Sequence, residues 1–201
     1  MTKPRADDRF DLYLIRSFFD AETCRELVTE MHRSPAAPAI VYGRGDSGAV
    51  DERVRKASRL LPSGEIAGRV ERRLLECRGT LGEHFGISLD GCEAPQFLRY
   101  RVGDFFVAHQ DGNTGMLLSE REQSRRISVV IFLNRQSETP EADAYCGGSL
   151  VFSNWRASSP GNREFRLTGE AGTLVAFRSE TTHEVIPVTH GERYSIVSWY
   201  G

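Results

Sequence analysis

From Ala94 onward the chain breaks into short β-forming runs separated by Gly, Pro, Asn and Asp, and this punctuation limits the fold more than any other feature. The runs are 95–101, 105–110, 126–133, 148–153, 164–167, 173–177, 183–188 and 193–200. Such a pattern predicts an antiparallel sandwich or barrel. Eight runs are enough for a double-sheet jelly roll. Two connections, 112–124 and 135–147, are long for a compact domain, and loops of that length often act as lids over a site. The stretch 136–144 is acidic enough to clamp a ligand.

The first half reads differently. Residues 1–9 are polar, and 10–19 is rich in aromatic and aliphatic residues, as a first strand would be. Asp20 is placed to cap a helix over 21–33 with Leu27, Val28 and Met31 on its apolar stripe, ended by Pro35 and Pro38. A short strand is expected at 39–42, a turn at 43–48 and an extended segment at 50–61. Arg44-Gly45-Asp46 falls in that turn; a three-residue match carries no adhesion reading. Pro62 and Ser63 open a second helix to about Phe85, with Ile66, Val70, Leu74, Leu75, Leu81 and Phe85 at helical spacing. The expectation is one domain over 1–201: supporting strands and helices over 1–93, and a catalytic core over 94–201.

Composition excludes several classes. With 26 basic and 28 acidic residues, net charge −2, the chain has no strong pull toward nucleic acid or an anionic membrane. Cys24, Cys77, Cys92 and Cys146 are far apart and lack CxxC spacing, which favours reduced thiols over a zinc site or a disulfide framework. No apolar run reaches membrane-spanning length and no signal-peptide core is visible, so a cytoplasmic location is expected.

The chemistry concentrates at two places. On a strand, residues i and i+2 share a face, so His109 and Asp111 aim an imidazole and a carboxylate at one point. His183 is a third candidate ligand. Two His and one carboxylate on one side of a metal leave coordination positions open, the arrangement of non-haem Fe(II) oxygenases. Each is weak alone; His32, His84 and His190 carry no such company and are given no role. Thr189-His190-Gly191-Glu192 has turn chemistry, so 183–188 and 193–200 are expected to form a hairpin. In the second strand Arg193, Ser195, Val197 and Trp199 share one face, and Tyr194, Ile196, Ser198 and Tyr200 the other. A buried Arg needs an anionic partner, and its fork suits a carboxylate, with the Ser195 hydroxyl as a further donor. The plainer alternative is a surface face with an ordinary ion pair at Arg193.

Tyr100-x-x-Gly103-x-x-Phe106-x-x-His109-x-Asp111, then Gly147-Gly148-Ser149-Leu150-Val151-Phe152, then His183-Glu-Val-Ile-Pro-Val with Arg193-x-Ser195, together resemble the iron(II)- and 2-oxoglutarate-dependent dioxygenases, in particular the prolyl 4-hydroxylase-like group. The match covers residues 97–200. The resemblance implies a mainly β fold with flanking helices (α+β): a double-stranded β-helix, or jelly-roll, core braced by N-terminal helices. It implies Fe(II) on His109, Asp111 and His183, 2-oxoglutarate as cosubstrate with its distal carboxylate on Arg193 and Ser195, and Tyr100 against that cosubstrate. Arg125 and Trp199 fall where relatives contact substrate or line the pocket. Ascorbate as reductant is part of the same expectation, as is the release of succinate and carbon dioxide.

The retained carboxylate at Asp111 favours oxygen insertion over halogen transfer. Asn134 resembles the Leu-Asn end of a core strand in this group. Phe132 stands where some hydroxylases carry a tyrosine that donates to the distal carboxylate, which leaves more of the anchoring to Arg193 and Ser195. Gly103 and the Gly147-Gly148 pair read as turn residues. The expected activity is hydroxylation of a C–H bond in a prolyl residue of a protein or peptide, or in a free amino-acid-like metabolite. Two alternatives belong to other classes: a catalytically silent jelly-roll binding module, and a nucleic-acid oxidative demethylase. That demethylase branch carries a second Arg where this chain has Trp199.

Overall fold

In the computed structural model, residues 11–41, 48–112, 120–153 and 164–201 are described. The elements in order are β1 (Leu12–Ile15), α1 (Ala21–Arg33), β2 (Ala36–Pro38), β3 (Arg55–Lys56), β4 (Ser58–Leu60), α2 (Gly64–Phe85), β5 (Gln96–Tyr100), β6 (Phe105–His109), α3 (Glu120–Ser124) and β7 (Ile127–Phe132). There follow β8 (Arg135–Gln136), β9 (Ala144–Gly147), β10 (Leu150–Ser153), β11 (Glu164–Leu167), β12 (Leu174–Arg178), β13 (Thr182–Val185), β14 (Val188–His190) and β15 (Arg193–Tyr200).

The strands build a seven-stranded sheet in the order β1-β12-β7-β15-β5-β4-β2, a five-stranded sheet β11-β10-β13-β6-β3, and a small sheet β14-β9-β8. The first two form a jelly-roll sandwich. Their central strands are buried on both faces, and period two sorts the residues. Ile127, Val129 and Ile131 of β7, with Tyr194, Ile196 and Tyr200 of β15, pack outward with the two long helices. Val130 and Phe132 turn inward to meet Phe152, Phe177 and Val185. The outer core explains the helices: Leu27 and Met31 from α1 and Val70, Leu74, Leu81 and Phe85 from α2 are all buried.

Capping sets the helix starts. The Asp20 carboxylate accepts from the Thr23 N–H, and the Ser63 hydroxyl accepts from the Ile66 N–H. The N-terminal segments do more than brace the barrel, because β1 pairs with β12, β3 with β6 and β4 with β5, extending both large sheets.

Several expectations are corrected. The first strand stops at Ile15; Phe18 and Phe19 lie in the turn before α1, tied by the Phe19 N–H to the Gly172 carbonyl at 3.2 Å. The strand expected at 39–42 is displaced to β2, and Pro38 fits it because β2 is an edge. Leu75 is 42% exposed and lies off the buried stripe, whereas Cys77 lies on it. The hairpin expected between 183–188 and 193–200 does not form. β13 pairs with β10 and β6 in one sheet, and β15 pairs with β5 and β7 in the other. The 183–188 run is itself divided at Ile186-Pro187, and β14 pairs with β9. Nor is 135–147 a plain loop, since β8 and β9 occupy its two ends. The connection 112–124 ends in α3. Arg44-Gly45-Asp46 lies outside the described residues. All four cysteines are free thiols.

Candidate active site

His109 ends β6, and His183 sits on β13 directly opposite it in the antiparallel register. Asp111 follows two residues after His109 and completes a cluster whose ligand atoms all lie within 4.8 Å of one another. The Asp111 carboxylate approaches each imidazole Nε2 at 3.5 Å. Local bonds set the orientation of both rings. His109 Nδ1–H donates to the Val107 carbonyl at 2.8 Å, and His183 Nδ1–H donates to the Thr181 carbonyl at 2.9 Å. A carbonyl can only accept, so Nδ1 carries a proton in each ring, and Nε2, on the Asp111 side, is the nitrogen left to bind a metal.

The Asp111 backbone is also held. Its N–H donates to the Ser179 carbonyl at 2.9 Å, and its own carbonyl accepts from Arg125 Nη1 at 3.2 Å. Gly112 is required beside it, because a Cβ there would stand 2.1 Å from the Glu122 carbonyl oxygen.

Electrostatics suit a cation. Burial and the neighbouring His109 lower His183 to about 4, so its imidazole is neutral at neutral pH. Burial favours the neutral carboxyl at Asp111, but His183 and then His109 outweigh it and hold the group below the usual carboxylate range. A neutral imidazole at His183 and an ionised carboxylate at Asp111 are the protonation states a metal needs of those two ligands. The donor set is one that suits Fe(II).

Deeper in the same cavity, Arg193 of β15 stands opposite Tyr100 of β5, and its guanidinium lies 5.0 Å from that ring and 5.4 Å from Phe132. Arg193 is 1% exposed, and its Nε has no partner; the Ser195 hydroxyl is buried and likewise unpartnered. Buried polar atoms left bare are costly, so two unpartnered donors on one face of β15 suit an anionic ligand. The face read from the sequence is the one present: Arg193, Ser195, Val197 and Trp199 all line the cavity.

Sequence reasoning missed Tyr145. Its hydroxyl is buried without a partner; burial raises its pKa, against which the nearby Arg193 acts. A Cβ on Gly148 would meet Tyr145 Cε2 and Arg193 Cδ, each at 3.3 Å, and the positive φ of Gly147 and Gly148 (67° and 58°) makes the turn that brings them together. The available signal was the apolar run at 144–146 directly before the glycine pair.

Arg125 and Trp199 also line the cavity. Arg125 is committed: Nε donates to Glu93 Oε1 at 2.6 Å, Nη2 to Oε2 at 3.1 Å, and its guanidinium lies 3.9 Å over the Trp199 ring. Trp199 Nε1 is buried without a partner. Asn134 serves the frame, donating to the Glu192 carbonyl at 2.8 Å and accepting from the Tyr194 N–H at 2.9 Å, which sets the start of β15. His32 and His84 pair with Tyr194 and Asp11, away from the site.

A jelly roll with a His-Asp-His cluster at its mouth and bare donors behind it defines the class, a barrel whose groups could hold a metal beside an anion. A model of the 2OG-Fe(II) oxygenase superfamily matches residues 95–201, and the chain belongs to that superfamily. It is 36% identical over 105 residues to a PKHD-type hydroxylase of Shewanella oneidensis, covering 52% of this chain and 41% of that protein. A PKHD-type hydroxylase of Burkholderia ambifaria is 30% identical over 185 residues, 88% of this chain and 70% of that one. Several of the curated relatives it matches are therefore spanned over less than half their length. A Pseudomonas putida prolyl-4-hydroxylase shares the fold with TM-score 0.68 at 23% identity, covering 94% of this chain and 91% of that one. A Trichoplax adhaerens prolyl hydroxylase in complex with a hypoxia-inducible-factor peptide fragment aligns with TM-score 0.67 at 19% identity, covering 94% and 82%.

Proposed function

We propose that this chain is one domain that acts as an Fe(II)- and 2-oxoglutarate-dependent hydroxylase of the prolyl 4-hydroxylase-like kind. The observation that carries the reading is the pairing of two Nε2 lone pairs and the Asp111 carboxylate with the bare donors of Arg193 and Ser195 in one cavity. In this reading His109, Asp111 and His183 hold the iron. Arg193 and Ser195 take the distal carboxylate of 2-oxoglutarate, and Tyr100 forms the wall beside it. Tyr145 contributes the hydroxyl that Phe132 lacks, from β9 of the small sheet. Iron, when bound, supplies the redox chemistry that couples oxidation of 2-oxoglutarate to succinate and carbon dioxide with insertion of oxygen into a substrate C–H bond. The protein supplies alignment and exclusion of water: the two backbone-bonded imidazoles leave one face of the site open, and Phe106, Phe152 and Phe177 wall the other side.

The names of the solved neighbours support a prolyl residue as substrate; a free amino-acid-like compound is the alternative substrate within the same proposal, and ascorbate its proposed reductant for maintaining Fe(II). Anaerobic titration with Fe(II) and 2-oxoglutarate, following the visible metal-to-ligand charge-transfer band, tests the reading. His183→Ala should abolish the band, and Arg193→Ala should raise the 2-oxoglutarate needed by roughly tenfold or more. An iron-loaded protein with no band would overturn the reading in favour of a binding module.

A further inference from the structure

Of the cationic side chains that reach the cavity wall, two are buried without an acid partner among the described residues. Arg193 is one, and the proposed cosubstrate answers it. Arg55 is the other. It is 7% exposed, lines the same cavity, and makes one hydrogen bond, Nη1 to the Ile40 carbonyl at 3.2 Å. Its Nε is buried without a partner. Its neighbours in the chain are served: Arg53 pairs with Asp51, Lys56 with Asp104, and across the cavity Arg125 pairs with Glu93. Among the described residues no carboxylate pairs with Arg55.

Strand pairing places this cation close to the chemistry. Arg55 on β3 stands opposite Phe106 on β6, with its guanidinium 4.6 Å from the ring centroid. That ring stacks on His109 at 3.5 Å and 19°. The guanidinium is therefore separated from a proposed iron ligand by a single aromatic ring. Contact with the Phe106 face offsets part of the desolvation of Arg55, but a ring face does not satisfy the fork of N–H donors. A carboxylate does.

We infer that Arg55 is the recognition group for a carboxylate on the substrate, so that the substrate is an acid held at one end by Arg55 while a C–H bond a few atoms away faces the metal site. This rests on the hydroxylase reading and narrows it. An internal residue of a peptide chain has no main-chain carboxylate to offer. A free amino acid, or a residue at a peptide C-terminus, has one.

The test uses protein loaded anaerobically with Fe(II) and 2-oxoglutarate and titrated calorimetrically with L-amino acids, L-proline among them, each beside its carboxamide. At least one free acid should bind roughly tenfold to a hundredfold more tightly than its amide. That preference should disappear in Arg55→Gln, fall partly in Arg55→Lys, and persist in Arg53→Gln, whose side chain is exposed. The N-acetylated acids separate the two sources: binding lost on acetylation points to a free amino acid, and binding kept points to a peptide C-terminus. Acids and amides that bind alike in the intact protein, a panel with no bound acid, or an Arg55→Gln variant that keeps the preference would each overturn the inference. Failure of the hydroxylase reading is seen separately, as absence of the charge-transfer band before any acid is added.

Discussion

Glu93 precedes β5 and is fixed to β15 by two backbone bonds, its N–H donating to the Trp199 carbonyl at 2.7 Å and its carbonyl accepting from the Ser198 hydroxyl at 2.6 Å. From there its carboxylate holds Arg125, whose third contact is the Asp111 carbonyl. The pair is nearly shielded from water, with 5% of the Arg125 side chain and 14% of the Glu93 side chain exposed. Glu93→Met removes one partner and leaves a buried guanidinium without its acid, which should cost about 3–5 kcal/mol. For a chain of this size, with a urea dependence of roughly 2 kcal/mol per molar, the unfolding midpoint should fall by about 2 M. The double variant Glu93→Met/Arg125→Met carries no bare charge and should recover much of this loss. It should remain about 1 kcal/mol below the parent for the bond to Asp111 that it lacks. Equilibrium urea unfolding followed by fluorescence and circular dichroism measures both. A Glu93→Met loss under 1 kcal/mol, or a double variant no more stable than the single one, would refute the argument that Arg125 is a buried clamp. Iron affinity is a second readout, expected to drop by roughly tenfold to a hundredfold in Glu93→Met, because a group that orients a ligand has been released.

Other outcomes can be checked with the same preparations. Tyr145→Phe should leave the fold and the iron site intact but raise the 2-oxoglutarate needed for half-maximal band intensity by roughly tenfold to a hundredfold, the worth of one hydrogen bond to a charged carboxylate; an unchanged midpoint would remove Tyr145 from the anion site. Gly148→Ala should destabilise the protein and weaken 2-oxoglutarate binding together, because a Cβ at φ 58° would press 2.8 Å from Val188 and 3.3 Å from Arg193; normal binding in a folded variant would contradict this. The metal-free protein should lose stability as pH falls from 6.5 toward 4. His183 is lowered from 6.5 to about 4 in the folded chain, so the unfolded chain binds more protons across that window. The loss should reach about 3 kcal/mol, and His183→Asn should flatten that part of the profile.

Local signals carried much of the architecture. Asp20 and Ser63 mark the helix starts because their side chains bond groups three residues away, a relation complete within the sequence window. The two faces of β15 were legible for the same reason, since period two needs no knowledge of partners. Strand partners were another matter. Turn chemistry at 189–192 suggested a hairpin, but β13 and β15 belong to different sheets, and only the closing of the whole sandwich decides that. Residues 144–147 looked like loop because a four-residue strand that runs into a glycine pair is too short to show alternation. Tyr145, Glu93 and Arg55 could not be found by motif. Each reaches the site through a neighbour far away in the chain: Arg193 for Tyr145, Arg125 for Glu93 and Phe106 for Arg55. His109, Asp111 and His183 stood out because two of them share one strand face and the third lies in a segment of matching chemistry, and the structure brings the three together.

Each imidazole of the cluster takes its tautomer from a carbonyl two residues upstream on its own chain, and the two histidines face each other in register. The alignment is thus written into two tripeptides, Val107-Ala-His109 and Thr181-Thr-His183, and one rung of a ladder. Such a unit is modular: placed at an equivalent rung of another antiparallel pair, it would present two imidazole lone pairs with the same aim. The rest of the barrel is then free to vary around it, to choose what is oxidised, while the metal-facing half keeps its geometry from the strand pair alone.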